Sequence, residues 1–355
     1  MRLGILGSGK IVEEFLTVID KLDFESVDIL STERSKEKAE KIAKDFNLRD
    51  TYTDYDKMLK SDIDTVYVAL PNFLHFEYAK KAILAGKNVI CEKPITSTFR
   101  EFIELKELAL KKKLFLIEAV TIHEMPSYIS LKEKIKELGD LKLICLNYSQ
   151  YSSRYNAFME GKKAPVFDYH KSGGVLYDLN VYNVNFVVGL FGKPVKISYT
   201  ANVKENVDTS GIMVLEYPGF RAVLVGAKDT ETGFINAVEG TKAHIEINMP
   251  VSRMTGYKLI YNKKISGNSI DYENVEYKNT GYENIEHENI EHEDIEYKDK
   301  DKHHAMYYEF TEFKRMIENK DYEKMNELLS ISETVSYILE KGRKDAGIYF
   351  DADMK

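Results

Sequence analysis

Asn88-Val89-Ile90-Cys91-Glu92-Lys93-Pro94 is the stretch whose reading decides the fold. The run into Cys91 has the apolar density of a strand buried on both faces of a parallel sheet. Glu92 and Lys93 then put a carboxylate and an amine at the carboxyl end of that strand, where open α/β sheets bind their ligands. Working outward, residues 3–6, 27–30, 65–70 and 114–119 read as further strands. Residues 11–22, 35–46, 76–84 and 99–112 read as helices, with Gly86 as a left-handed cap. Strand and helix in alternation predict an α/β fold with a doubly wound parallel sheet.

The turn after the first strand is Gly7-Ser8-Gly9-Lys10-Ile11-Val12. Gly7 would permit the tight turn, and Gly9 the approach of a pyrophosphate to the helix amino terminus. Val12 stands where a third Gly or Ala is usual, so the fingerprint is incomplete. Glu33 falls where a carboxylate would accept hydrogen bonds from the adenosine ribose, which favours NAD. Arg34 beside it is the type of residue that holds a 2′-phosphate, which leaves NADP open.

A chain of 355 residues exceeds one small core, and two domains are expected. A formal charge of -8, with lysines interspersed among acids, argues against nucleic acid as a partner. No apolar run approaches the roughly 20 residues that span a bilayer, so no membrane partner is expected. Cys91 and Cys145 lie far apart in apolar runs and read as buried free thiols. The chain opens directly on a strand, leaving no room for a signal peptide, and a reducing cytoplasm is predicted.

Pro71-Asn72-Phe73-Leu74-His75, the run from Ala85 to Pro94, Glu118-Ala119, Pro126, Ser172-Gly173-Gly174-Val175-Leu176-Tyr177-Asp178 and Gly240-Thr241-Lys242 belong together. In these residues, along nearly its whole length, the chain resembles the glucose–fructose oxidoreductase/inositol dehydrogenase (Gfo/Idh/MocA) family. The resemblance implies an N-terminal Rossmann domain over 1–120. It implies a C-terminal α/β domain over 121–302 with a large open, mostly antiparallel sheet, and helices over 303–355 that pack back towards the first domain. The implied activity is NAD(P)-dependent hydride transfer at a carbinol or carbonyl carbon of a sugar, cyclic polyol or diol. Cofactor contacts are expected from Gly7, Gly9, Lys10, Ile11, Glu33, Arg34, Leu70, Pro71, Asn72, His75, Glu92 and Lys93. An uncovered sheet face would expose a large apolar area, so a homodimer or homotetramer through it is expected.

Hydride leaves a carbinol carbon readily only if the hydroxyl proton departs in the same event. A proton acceptor and a positive charge are therefore required. Lys93 is expected to supply the charge. Asp178-Leu179-Asn180-Val181-Tyr182 stands where inositol-dehydrogenase-like members carry Asp-x-Gly-x-His. The tyrosine resembles the glucose–fructose oxidoreductase and dimeric dihydrodiol dehydrogenase branch. Four residues apart, Asp178 and Tyr182 would share a helix face. Tyr182 is the expected acid–base group, with its phenol lowered towards working pH by the Lys93 ammonium. His123 is either a substrate residue in place of an arginine or a polar loop residue, and Asn180 adds bulk near the expected pocket. The alternative is a dinucleotide-binding sensor without turnover, against which the joint presence of Lys93, Asp178 and Tyr182 counts.

Further strands are expected at 141–148, 195–203, 212–217, 221–225 and 243–247, and a helix at 181–190 ended by Gly192 and Pro194. Residues 273–302 fall into six five-residue units, with glutamate where a pentapeptide β-helix needs a small residue. An expanded surface segment is expected there. His287, His292, His303 and His304 lack a zinc-site spacing, so no metal is expected. Residues 305–318 and 322–341 read as amphipathic helices.

Overall fold

The computed structural model describes residues 1–162, 164–262, 294–301 and 303–354. The first half runs β1 (Arg2–Leu6), α1 (Lys10–Leu16), β2 (Ser26–Leu30), α2 (Lys36–Asp45), β3 (Thr51–Tyr52) and α3 (Tyr55–Leu59). It continues with β4 (Thr65–Val68), α4 (His75–Leu84), β5 (Asn88–Glu92), α5 (Phe99–Lys112) and β6 (Leu116–Ala119). The strands make a six-stranded sheet in the order β3-β2-β1-β4-β5-β6, every pair parallel. β4 and β6 are buried at every position, and β5 from Val89 onward, which explains their unbroken apolar runs. Strand order reverses between β1 and β4, so their carboxyl ends flank a crevice. Thr98 and Glu101 start α5 with a reciprocal capping box.

The second half holds α6 (Pro126–Lys134), β7 (Leu141–Ser149) and α7 (Tyr155–Met159), then a π-helical turn (Leu176–Asn180) that runs into α8 (Val181–Phe191). After these come β8 (Lys196–Lys204), β9 (Val207–Tyr217), β10 (Phe220–Ala227), β11 (Asn236–Gly240), β12 (Ala243–Ile247), β13 (Gly256–Tyr261) and β14 (Ile295–Lys298). They form an eight-stranded sheet, β14-β13-β12-β11-β7-β10-β9-β8, antiparallel except for the β7–β10 pair. Strand β9 alternates, burying Met213, Leu215 and Tyr217 while Ile212, Val214 and Glu216 face outward. That alternation marks a sheet covered on one face.

The chain closes with α9 (Ala305–Asn319) and α10 (Tyr322–Asp345). Met306, Phe310, Phe313 and Met316 of α9, with Met325, Leu328 and Leu329 of α10, join the core of the parallel sheet. Val335, Ile338 and Leu339, further along α10, join the core of the second sheet. One helix thus belongs to both cores. Arg343 near its end is 1% exposed and pairs with Asp353 at 2.6 and 2.7 Å, while its Nε donates to the Tyr177 hydroxyl at 3.2 Å. A bidentate pair of this kind fixes direction as well as charge.

Within the pentad segment, residues through 293, including His287 and His292, lie outside the described residues. Residues 295–298 form β14, an edge strand on β13. His303 lies 4.2 Å from the Tyr307 ring, and His304 caps α9 by accepting from the Met306 N–H. Among the described residues no helix is long and apolar enough to cross a membrane.

Candidate active site

Gly7 has φ +108°, and a Cβ there would stand 2.6 Å from the Ala69 carbonyl oxygen past β4. Only glycine lets the β1–α1 turn pass that neighbour. Gly9 faces open space at the start of α1. Ile11 turns into an adjoining cavity, whereas the Lys10 side chain is 88% exposed and lies 3.8 Å from Glu14. Glu33 and Arg34 project from an exposed 3₁₀ turn just past β2. Leu70 and Pro71 follow β4, and the Asn72 Nδ2 donates to the Ser172 carbonyl across the domain boundary at 3.1 Å. His75 is fully buried, its ring nitrogens 2.9 Å from the Pro94 oxygen and 2.6 Å from the Leu70 oxygen. It braces the two loops and leaves no ring edge for a nucleotide, which corrects its expected cofactor contact.

Lys93 leaves β5 towards the second domain, and its peptide to Pro94 is cis. Its Nζ donates to the Asp178 carbonyl at 2.7 Å and lies 3.5 Å from Asp178 Oδ1. The same nitrogen sits 4.6 Å above the centroid of the Tyr182 ring. Burial disfavours this charge, but Tyr182, Asp178 and Glu92 outweigh it and hold the ammonium above its ordinary range. Asp178 is opposed by burial in its turn, and the ammonium groups of Lys93 and Lys228 keep its carboxyl below the usual range. Lys228, directly after β10, pairs its Nζ with Asp178 Oδ2 and has a side chain only 7% exposed. No motif marks Lys228 in the sequence. A lysine ending a strand is usually a surface residue, and only the pairing of β7 with β10 brings it to this place.

The Tyr182 phenol requires a correction. Burial raises it further than the Lys93 ammonium lowers it, so its pKa moves up and not towards neutrality. The cation meets the face of the ring, where it is attracted without reaching the oxygen. The hydroxyl makes no hydrogen bond among the described residues.

Asp178 lies in the π-helical turn and Tyr182 at the start of α8, so they are not rungs of one regular α-helix. The wider turn aims Asn180 at the sheet. It is fully buried, its Nδ2 donates to the Leu224 carbonyl at 3.1 Å, and its Oδ1 accepts from Asn183 at 2.9 Å. Asn180 therefore anchors the turn and does not face a substrate. His123 is a second such correction. Its Nε2 lies 3.1 Å from Asn185 Oδ1, and a Cβ added to Gly189 would stand 2.9 Å from its Cε1. Burial brings the imidazole down to about 4. His123 packs α8 against the 121–124 turn, outside the cavity.

That cavity, about 80 Å³, lies between Ile11, Glu92, Ala119, Tyr148, Tyr182 and Glu309. Tyr148 stands 6.0 Å from the Tyr182 ring and 5.9 Å from Phe234. Glu92 accepts from the Tyr67 hydroxyl at 2.6 Å, and burial raises its carboxyl. Glu309 was also missed, although its signal was present as an acid at an apolar-face position of α9. A larger cavity of about 410 Å³ at the β12–β14 edge has none of Lys93, Asp178 or Tyr182 in its walls. Tyr182 lines the smaller one. Among the described residues no three His, Cys, Asp or Glu side chains gather as metal ligands.

Residues 1–119 match the family described as oxidoreductase family, NAD-binding Rossmann fold, and residues 128–246 the GFO/IDH/MocA C-terminal domain. The chain is 30% identical over 357 residues to a scyllo-inositol 2-dehydrogenase (NADP(+)) of Bacillus subtilis (strain 168), covering 99% of each. It is 29% identical over 226 residues to the trans-1,2-dihydrobenzene-1,2-diol dehydrogenase of Mus musculus, covering 62% of this chain and 66% of that one. A 3-ketoreductase from Actinomadura kijaniata, solved with NADP and TDP-benzene, shares the fold with a TM-score of 0.78 at 17% identity over 97% of each chain. The chain thus belongs to the glucose–fructose oxidoreductase/inositol dehydrogenase (Gfo/Idh/MocA) family and is an NAD(P)-dependent oxidoreductase acting on CH–OH groups.

Proposed function

We propose that the protein interconverts a carbinol and a carbonyl on a sugar, cyclic polyol or diol, with Tyr182 as acid–base group and Lys93 as its electrostatic partner. The supporting observation is the Lys93 ammonium held between Asp178 and the face of Tyr182, beside a cavity that reaches Ile11 in the first turn of α1. The nicotinamide, when bound, supplies or accepts the hydride. Tyr182, like any phenol at neutral pH, is protonated, and burial raises it further, so in the reductive direction it would give a proton to the carbonyl oxygen. Lys93 favours the negative charge that grows on that oxygen. Asp178, itself held by Lys228, keeps Lys93 in place. Tyr148, backed by Phe234, adds an aromatic wall suited to the C–H face of a ring polyol.

Tyr182→Phe is expected to lower kcat by about 10²-fold or more while the NADH dissociation constant stays unchanged, and Lys93→Met to lower kcat similarly. Near-normal kcat in either variant would overturn that residue's assignment.

Glu33 and Arg34 stand together beyond β2. The carboxylate favours an unphosphorylated ribose, and the guanidinium tolerates a phosphate. Titration should therefore give tighter binding of NADH than of NADPH, and Glu33→Ala should narrow the difference. An unchanged ratio in the variant would remove Glu33 from the ribose site.

The outer face of the eight-stranded sheet carries Val214, Val223 and Cys145 in register across β9, β10 and β7. Ile212 and Leu143 nearby are 50% and 42% exposed. This stripe suits a second copy of the chain, in a homodimer or homotetramer. Cys91 and Cys145 are both free, which fits a reducing cytoplasm.

A further inference from the structure

Helix α9 buries Met306, Phe310, Phe313 and Met316, and Glu309 falls on the same side. Glu309 is 1% exposed and borders the cavity, yet its Oε1 has no hydrogen-bond partner among the described residues. Arg253 and His304 line the same cavity, but the charges that act on its carboxyl are those of Glu92 and Glu124. Burial, then Glu92 and Glu124, push its carboxyl well above the ordinary range, which makes it neutral. A neutral carboxyl carries an O–H donor and a C=O acceptor side by side. That pair is the complement of a primary carboxamide, which presents a C=O and an N–H.

The surrounding walls say which carboxamide this would be. A dinucleotide seated on the β1–α1 turn would reach Ile11 in the first turn of α1, which forms one wall, and Tyr182 forms another. Hydride transfer needs the reacting carbons within roughly 3–3.5 Å, so a nicotinamide ring serving Tyr182 must lie between them. Glu92 accepts from Tyr67, the Thr121 hydroxyl donates to the Ser252 carbonyl, and the Tyr182 hydroxyl is reserved for the substrate. We propose that the buried, unpartnered Glu309 carboxyl recognises the nicotinamide carboxamide by donating one hydrogen bond and accepting another. The inference rests on Tyr182 being the acid–base group. It extends that reading by giving α9 a direct part in seating the cofactor.

The test is direct titration of the full-length protein with NADH, NADPH and ADP-ribose, with thermal midpoints measured alongside. Glu309→Met, similar in size but without the hydrogen-bonding atoms, is expected to weaken the reduced nucleotides about tenfold. Glu309→Gln, which keeps a donor and an acceptor, should stay within about threefold of wild type. ADP-ribose, lacking the ring, should bind all three proteins alike. The loss should shrink with the 3-acetylpyridine analogue of the cofactor, whose ketone cannot donate. Unchanged NADH affinity in a folded Glu309→Met protein overturns the proposal. So does an equal loss of ADP-ribose binding, which would mark a general disturbance. Failure of the Tyr182 reading is separable, because it shows as normal turnover in Tyr182→Phe while the Glu309 affinities stand by themselves.

Discussion

Glu118, on β6, sits behind the Lys93 loop with its Oε1 accepting from the Ile95 N–H at 2.9 Å and its Oε2 unpartnered among the described residues. Burial raises its carboxyl from 4.5 to about 7, against the hydrogen bond from the Ile95 N–H that lowers it. The native state therefore holds this proton more tightly than the unfolded chain does. The resulting stability is fully present below about pH 4.5 and is lost as pH rises through about 7. Glu118→Gln removes the dependence. Its thermal midpoint should exceed wild type at pH 8, and the gap should shrink below pH 5. An equal gap at both pH values would show that Glu118 does not titrate in this way. Tyr182 teaches the same lesson. Sequence places an ammonium near a phenol, but only the fold tells how dry the phenol is, and dryness outweighs the ammonium.

At the scale of elements, the Ser172-Gly173-Gly174 turn decides where Asp178 stands. Gly174 has φ +130°, and a Cβ there would fall 2.0 Å from Asp208 Oδ1. Asp208 in turn accepts from the Leu176 N–H at 2.8 Å and the Tyr199 hydroxyl at 2.7 Å, so it cannot withdraw without loss. Gly174→Ala should cost about 2–4 kcal/mol, read as a lowered thermal midpoint, with a parallel fall in kcat. A wild-type midpoint would show that the turn accommodates a side chain. The motif's glycines were legible in the sequence, and so were the parallel strands and α5. The π-helical turn was not. One residue of widening leaves the apolar pattern almost unchanged, yet it re-aims Asn180 from the expected pocket to the Leu224 carbonyl. β3 and α3 went unread because two and five residues are too few to show a period.

For the whole molecule, the outer sheet face is the feature with the clearest consequence. A charge placed among Val214, Val223 and Cys145 would be buried without a partner in any assembly through that face. Val223→Glu should therefore reduce the mass seen by light scattering to that of a smaller species while the fold, read by circular dichroism, persists. An unchanged mass would move the interface elsewhere. Helix α10, shared by both cores, makes the two halves one mechanical body around the Lys93–Asp178 contact.

By itself, the sequence determined the parallel sheet and the glycine turn after β1, whereas the meeting of Lys93 with Asp178 and Tyr182 was implied only by the family resemblance. Strand burial, glycine turns and motif spacing are all local patterns along the chain. Only the tertiary structure decided that Lys228 joins Asp178 and that Glu309 borders the cavity. It also decided that His123 and Asn180 are packing residues and that the Tyr182 phenol is raised. Each of these depends on burial and on partners far away in sequence, and neither is written in the spacing of neighbours.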